Sequence, residues 1–230
     1  MSRANPTLVL VHTVPPLVEP FTRWSGALLP GVRVLHVLDE PMIERIRQRG
    51  LRWEEDGERL LGHVTLAESI GADAVLVTCS TVSQVVGRIR GRCRVPLVAI
   101  DEALAAEAVR AGERVAVLAT APTTLEPSRA LLEAAASKAG TRVEIDLRLV
   151  DGALQALLGG DGATHDRLLG AAVRDAAARA DVVVLAQASM ARVLDTLDPP
   201  PAVPVLASPQ LALREVARLL AAAAPESLPA

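Results

Sequence analysis

The stretch ADAVLVTCSTVS, Ala72–Ser83, returns in altered form as ADVVVLAQASMA, Ala180–Ala191. Each copy opens on Ala-Asp, climbs through a valine- and leucine-rich run, and breaks into small or hydroxyl residues. A continuous apolar run of this length suits a parallel strand buried on both faces. The segments beyond the two copies repeat as well. VPLVAIDEALAAEAV (Val95–Val109) matches VPVLASPQLALREVA (Val203–Ala217), and Asp73 precedes Pro96 by the same 23 residues as Asp181 precedes Pro204. Upstream, LVLVHTVPPLVEP (Leu8–Pro20) matches VAVLATAPTTLEP (Val115–Pro127), and GVRV at Gly31 matches GTRV at Gly140. Three blocks in one order, offset by about 107–109 residues, indicate a duplicated half.

The period is far too long for a solenoid. Apolar runs such as VRVLHVL, RVAVLAT and RVEIDLRLV alternate with Ala/Leu/Arg stretches such as Ser128–Ala139 and His165–Ala180, which read as helices. The pattern predicts an α/β fold of two pseudo-symmetric lobes, each a parallel sheet of about four strands flanked by helices. The first lobe takes residues 1–100 plus 208–230 and the second takes 101–207. A ligand cleft is expected between them, at the carboxyl ends of the strands.

Composition narrows the function. The 230 residues are half hydrophobic with a formal net charge of -3, and they show no basic stripe. With only Phe21, Trp24 and Trp53 as aromatics, base-stacking surfaces are excluded, and nucleic acid is not an expected partner. No apolar run approaches the roughly 20 residues of a membrane span, so no membrane partner is expected either. The N-terminal MSRANPTLVLVHTVPP reads as a first strand rather than a signal peptide, so a cytoplasmic protein is expected. Cys79 and Cys93 would stay reduced there. The histidines, His12, His36, His63 and His165, show no metal-ligand spacing, so no metal is expected. Homo-oligomerisation is left open.

The repeat sets Cys79 opposite Gln187, Ser80 opposite Ala188, Thr81 opposite Ser189 and Thr13 opposite Thr120. After Cys79, TVSQVVGRIR reads as a helix with Thr81 as N-cap and Gln84 as its capping-box partner. A cysteine just before a helix N-terminus gains thiolate character, and the same N–H groups with the hydroxyls of Ser80 and Thr81 can hold a carboxylate. The competing reading is a buried thiol that merely ends a strand. Cys93, in the polar link RGRCRVP, is read as structural.

These motifs resemble the aspartate/glutamate racemase superfamily. VTCSTVS resembles its first cysteine motif, VAVLATAPTT its Val-Leu-Ala-Thr segment, and VVVLAQASMA the second motif, Leu-Gly-Cys-Ala-Gly-Met-Ala, of hydantoin-racemase-like and arylmalonate-decarboxylase-like members. The resemblance implies a small carboxylic acid held by two lobes, with no metal or organic cofactor. It also implies proton transfer by two opposed thiols in racemases, attack by the first thiol in maleate isomerase, and use of the second alone in arylmalonate decarboxylase. Here the second cysteine is Gln187, flanked by Ala186 and Ser189 where that motif has glycines. An amide hydrogen-bonds but does not exchange a proton as an acid or base near neutral pH. A symmetric two-cysteine racemase is excluded. One-sided decarboxylation, isomerisation or elimination remains, as do racemisation with another second acid and non-catalytic carboxylate binding.

The candidate catalytic residues are therefore Cys79, as thiolate base or nucleophile, and His12, at the end of the first strand, as the second acid/base. The substrate-binding candidates are Thr13, Ser80, Thr81, Thr120, Thr123, Gln187 and Ser189. Glu19 and Glu126 are read as helix-capping residues. LLGGDGATHD, Leu157–Asp166, lacks the Gly-Lys-Ser/Thr ending of a phosphate loop and reads as an inter-helix loop with His165 exposed.

Overall fold

The computed structural model describes residues 5–223; residues 1–4 and 224–230 of the expected first lobe lie outside it. Two compact units emerge among the described residues, 5–100 with 209–223 and 101–208. Each holds one four-stranded, wholly parallel sheet. In unit 1 the strands are β1 (Thr7–His12), β2 (Arg33–Leu38), β3 (Ala74–Val77) and β4 (Leu97–Ala99), in the order β2-β1-β3-β4. In unit 2 they are β5 (Arg114–Ala119), β6 (Glu144–Leu149), β7 (Val182–Leu185) and β8 (Val205–Ala207), in the order β6-β5-β7-β8.

The duplication is physical down to its joints. Asp73 accepts the Thr7 N–H at 2.8 Å, and Asp181 accepts the Arg114 N–H at 2.8 Å, so each aspartate ties the start of one strand to its neighbour. A 3-10 turn comes after β1 at Pro15–Leu17 and after β5 at Pro122–Thr124, each opened by an extended residue with ψ 130°, Val14 and Ala121. Gly31 and Gly140, φ +82° and +68°, both take the left-handed turn that feeds the next strand. Gly112 meets a different demand: a Cβ there would lie 2.3 Å from the Asp181 Cβ. Only glycine lets the chain pass Asp181 while that carboxylate collects the N–H groups of Glu113 and Arg114.

The helices are α1 (Val18–Leu28), α2 (Glu40–Arg49), α3 (Trp53–Ser69), α4 (Ser80–Ser83), α5 (Val86–Ile89), α6 (Glu102–Ala111), α7 (Leu125–Ala139), α8 (Ala153–Leu158), α9 (Gly162–Ala177) and α10 (Ser208–Ala223). Glu19 and Glu126 make no capping bond of their own; each stands in the first turn of its helix, α1 and α7, where a negative charge suits the macrodipole. In unit 1, Val9, Val11, Val75 and Val77 of the strands pack with Met42, Leu60, Val64, Val82, Val86 and Ile89 of the helices.

Three expectations are corrected. The outer strands β2 and β6 are not buried on both faces: no residue of either is fully buried, and they carry charged residues such as Arg33, Glu144 and Asp146. His165 is not exposed in a loop. The glycine-rich stretch caps a helix instead: Asp161 accepts the Thr164 N–H at 2.9 Å and starts α9 three residues before the expected point, which carries His165 to 0 % exposure. The long helix after Cys79 is broken into α4, α5 and a 3-10 turn at Arg90–Arg92. Val82, Val85 and Val86 are β-branched and Ser80 and Ser83 compete for backbone groups, so helix propensity is low. Burial of Val82, Val85, Val86 and Ile89 decides the path instead.

Candidate active site

Cys79 stands just beyond β3 at its carboxyl end, in extended conformation (φ -113°, ψ 114°), and is itself the N-cap of α4. The expected capping box is absent: the Gln84 amide donates to the Thr81 carbonyl at 3.1 Å, and Thr81 does not open the helix. A single turn also brings little macrodipole to the thiol. Cys79 is half-buried and packs against the cluster formed by the helices and strands of unit 1. Ser80 and Thr81 are half-buried beside it.

The same position in unit 2 is built differently. Gln187 stands beyond β7 in the same extended conformation (φ -135°, ψ 139°) and caps the 3-10 segment Ala188–Thr196. Its Oε1 accepts two hydrogen bonds from one residue at the end of β5, the Thr120 N–H at 2.6 Å and the Thr120 hydroxyl at 2.9 Å. Thr120 is 4 % exposed. Ser189 is half-buried and Thr123 is exposed on the Pro122–Thr124 turn. Thr13, the counterpart of Thr120, is 1 % exposed, yet its hydroxyl has no hydrogen-bond partner among the described residues.

His12 ends β1 fully buried, with both ring nitrogens engaged. Nδ1 lies 2.8 Å from the Thr78 hydroxyl and Nε2 lies 2.9 Å from His36 Nδ1. His36 Nε2 lies 3.1 Å from the Thr22 hydroxyl, which donates to the Val18 carbonyl at 2.8 Å. That last bond sets the polarity of the chain. With its proton committed, Thr22 accepts from His36 Nε2–H, so His36 Nδ1 accepts from His12 Nε2–H, and His12 Nδ1 accepts from Thr78. Only the longer 3.2 Å contact from Thr78 to the Val11 carbonyl is given up. Burial, with His36 alongside, pushes the His12 pKa down from 6.5 to about 4, so the ring is neutral and satisfied within its own unit. This is the arrangement of a structural histidine rather than of a proton donor to substrate.

A cluster unforeseen in the sequence lies at the end of β2. Asp39, 4 % exposed, caps α2 by accepting the Met42 N–H at 3.1 Å. It also accepts hydrogen bonds from Arg59 Nε and Nη2, at 2.6 and 2.7 Å, and approaches His63 Nε2 at 2.7 Å. Burial alone would raise its pKa, but the bonds from Arg59 and His63 hold it at about 2. The signal was readable in part: Asp-Glu-Pro at 39–41 is a helix start. Arg59 and His63, one turn apart on α3, carried none. Arg45 pairs with Glu55 and the buried Asp56 nearby, so α2 and α3 are held together by charge as well as by packing.

Comparison with known proteins decides the kinship. The Asp/Glu/Hydantoin racemase family profile matches residues 17–216. The chain belongs to this family. Its fold is that of several solved structures. An allantoin racemase from Klebsiella pneumoniae aligns with a TM-score of 0.71 at 21 % identity, over 96 % of this chain and 90 % of that one. A glutamate racemase from Bacillus anthracis gives 0.70 at 11 % identity, over 96 % and 83 %. Arylmalonate decarboxylase gives 0.58 at 17 % identity, over 95 % and 94 %. A comparison with curated proteins finds no match. Among the described residues no helix of this family member is long and apolar enough to cross a membrane, and no group of three or more potential metal ligands gathers.

Proposed function

We propose that this family member is a cofactor-independent isomerase or lyase, cytoplasmic, that acts at the carbon next to the carboxylate of a small acid through the single thiol of Cys79. The observation that carries the reading is the state of position 187. Its carboxamide oxygen is held by Thr120, and a carboxamide serves as neither acid nor base near neutral pH. Proton exchange then falls to Cys79 alone, with Ser80, Thr81 and Thr13 holding the carboxylate.

In the decarboxylating form, the bond from the α-carbon to a carboxylate breaks and carbon dioxide leaves with the bond electrons on the remaining acid as an enediolate. The Cys79 S–H then protonates that carbon, and water restores the thiol. In the isomerising form the thiolate adds to a double bond, the carbon skeleton rotates, and the thiolate leaves again. Hydroxyl and N–H donors aimed at the developing oxyanion supply about 2.7–4 kcal/mol each where they behave as oxyanion-hole groups. A racemase with His12 as second acid is disfavoured, because both His12 nitrogens are already engaged and its pKa lies well below neutrality.

The test is turnover of a panel of small mono- and dicarboxylic acids by wild type and Cys79→Ala, monitored by NMR. The reading expects one class to be converted by wild type and not by the variant. Ligand binding with no conversion by wild type would favour the non-catalytic carboxylate binder instead.

A further inference from the structure

Thr120 presents a backbone N–H and a hydroxyl to one oxygen, and that oxygen is the protein's own, Gln187 Oε1, at 2.6 and 2.9 Å. Two convergent donors on one sp² oxygen are the contacts a carboxylate oxygen would take in the same place. At the corresponding end of β1, the repeat puts Thr13 where Thr120 stands, with Cys79 as the mate of Gln187. Thr13 is as deeply buried, but its hydroxyl has no partner among the described residues. A buried hydroxyl left unpaired is costly, and an incoming oxygen recovers that cost. The two units therefore differ at matched positions: the Thr120 donors are taken by Gln187, whereas the buried Thr13 hydroxyl is unpaired among the described residues.

We propose that Gln187 is a built-in plug of the Thr120 oxygen site, so that a ligand carboxylate gains the two Thr120 donors only by displacing the protein's own carboxamide. The side chain fills the site with a neutral oxygen already bonded to both donors. Shortening residue 187 opens the site. Gln187→Glu keeps an oxygen at the end of a side chain of equal length and leaves it closed. The plug stands on these two bonds and does not rest on the proposed function.

Titration of ¹⁵N-labelled protein with sodium acetate, read at the amide of Thr120, tests this without turnover. In wild type, acetate should leave Thr120 unmoved. In Gln187→Gly and in the milder Gln187→Ser, Thr120 should respond with an apparent affinity at least about tenfold above wild type, and adding Thr120→Val should cancel that gain. Gln187→Glu should behave as wild type at Thr120. Equal response of Thr120 in wild type and Gln187→Gly would overturn the plug, as would Thr120 staying silent in both shortened variants. Loss of turnover alone, with these shifts intact, would instead count against the proposed reaction.

Discussion

Units 1 and 2 share strand order, the aspartate joint, the 3-10 turn and the left-handed glycine, yet they part company at the strand ends. Unit 1 ends in a thiol at Cys79, a buried histidine at His12 and an unpaired hydroxyl at Thr13. Unit 2 ends in Gln187, Ala119 and a saturated Thr120. The difference shows which parts of a duplicated fold are free to change. Residues that close the sheet are held in both copies, while those at the carboxyl ends of the strands, though buried or half-buried, diverge in their hydrogen-bond partners.

The sharpest way to break the comparison is to remove the thiol. Cys79→Ala should lower turnover by about 10²–10⁴-fold, the usual scale for a positioned proton-transfer group. Circular dichroism and melting temperature should stay near wild type, since the side chain is only half-buried. Turnover within about tenfold of wild type would move the chemistry away from Cys79.

Acid should separate the units next. His12 is neutral in the fold with a pKa of about 4 against 6.5 when exposed, so the unfolded chain binds the extra proton between those values. The His12 contribution to stability is complete above pH 6.5 and is lost as pH falls toward 4, amounting to about 3 kcal/mol. His36 shifts in the same direction. The position matching His12 in unit 2 is Ala119, so hydrogen exchange measured from about pH 7 to about pH 4.5 should show unit 1 losing protection first. Equal loss in both units would show that the His12–His36 chain does not govern acid sensitivity.

A smaller effect is expected at the end of β2. Asp39→Ala strips Arg59, His63 and the Met42 N–H of their acceptor and should cost about 2–3 kcal/mol by denaturant titration, less than a fully buried pair because Arg59 is 41 % exposed. The smallest is Gly112→Ala, where the added methyl must push Asp181 aside. A loss of about 1–2 kcal/mol is expected, felt first in unit 2, and a neutral result would show that the Asp181 joint yields freely.

The sequence carried much of the fold because strands buried on both faces must be continuous apolar runs, and because the two copies corroborate one another. Where burial is only partial, at β2 and β6, pattern alone misjudges the strand. The helix after Cys79 was misread because tertiary packing of Val82, Val85 and Val86 overrode the capping signature. At the site, the aligned copies pointed to Cys79, Gln187, Thr13 and Thr120. They could not show that Gln187 is bound by Thr120 or that His12 is tied to His36, since partners 67 and 24 residues away leave no local trace. Asp39 went unread, and its hold on Arg59 and His63 depends on how α3 lies against the end of β2.

The central claim is that one unit transfers the proton while the other holds only a hydrogen bond. Turnover of an α-protonated product in deuterium oxide, with the product's handedness read by chiral-phase chromatography and the label by mass spectrometry, tests it directly. The account predicts a single deuterium at the α-carbon and one enantiomer, with Gln187→Cys giving a measurable fraction of the other. Wild-type protein that delivers label to both faces, or racemises an amino acid efficiently, would contradict it.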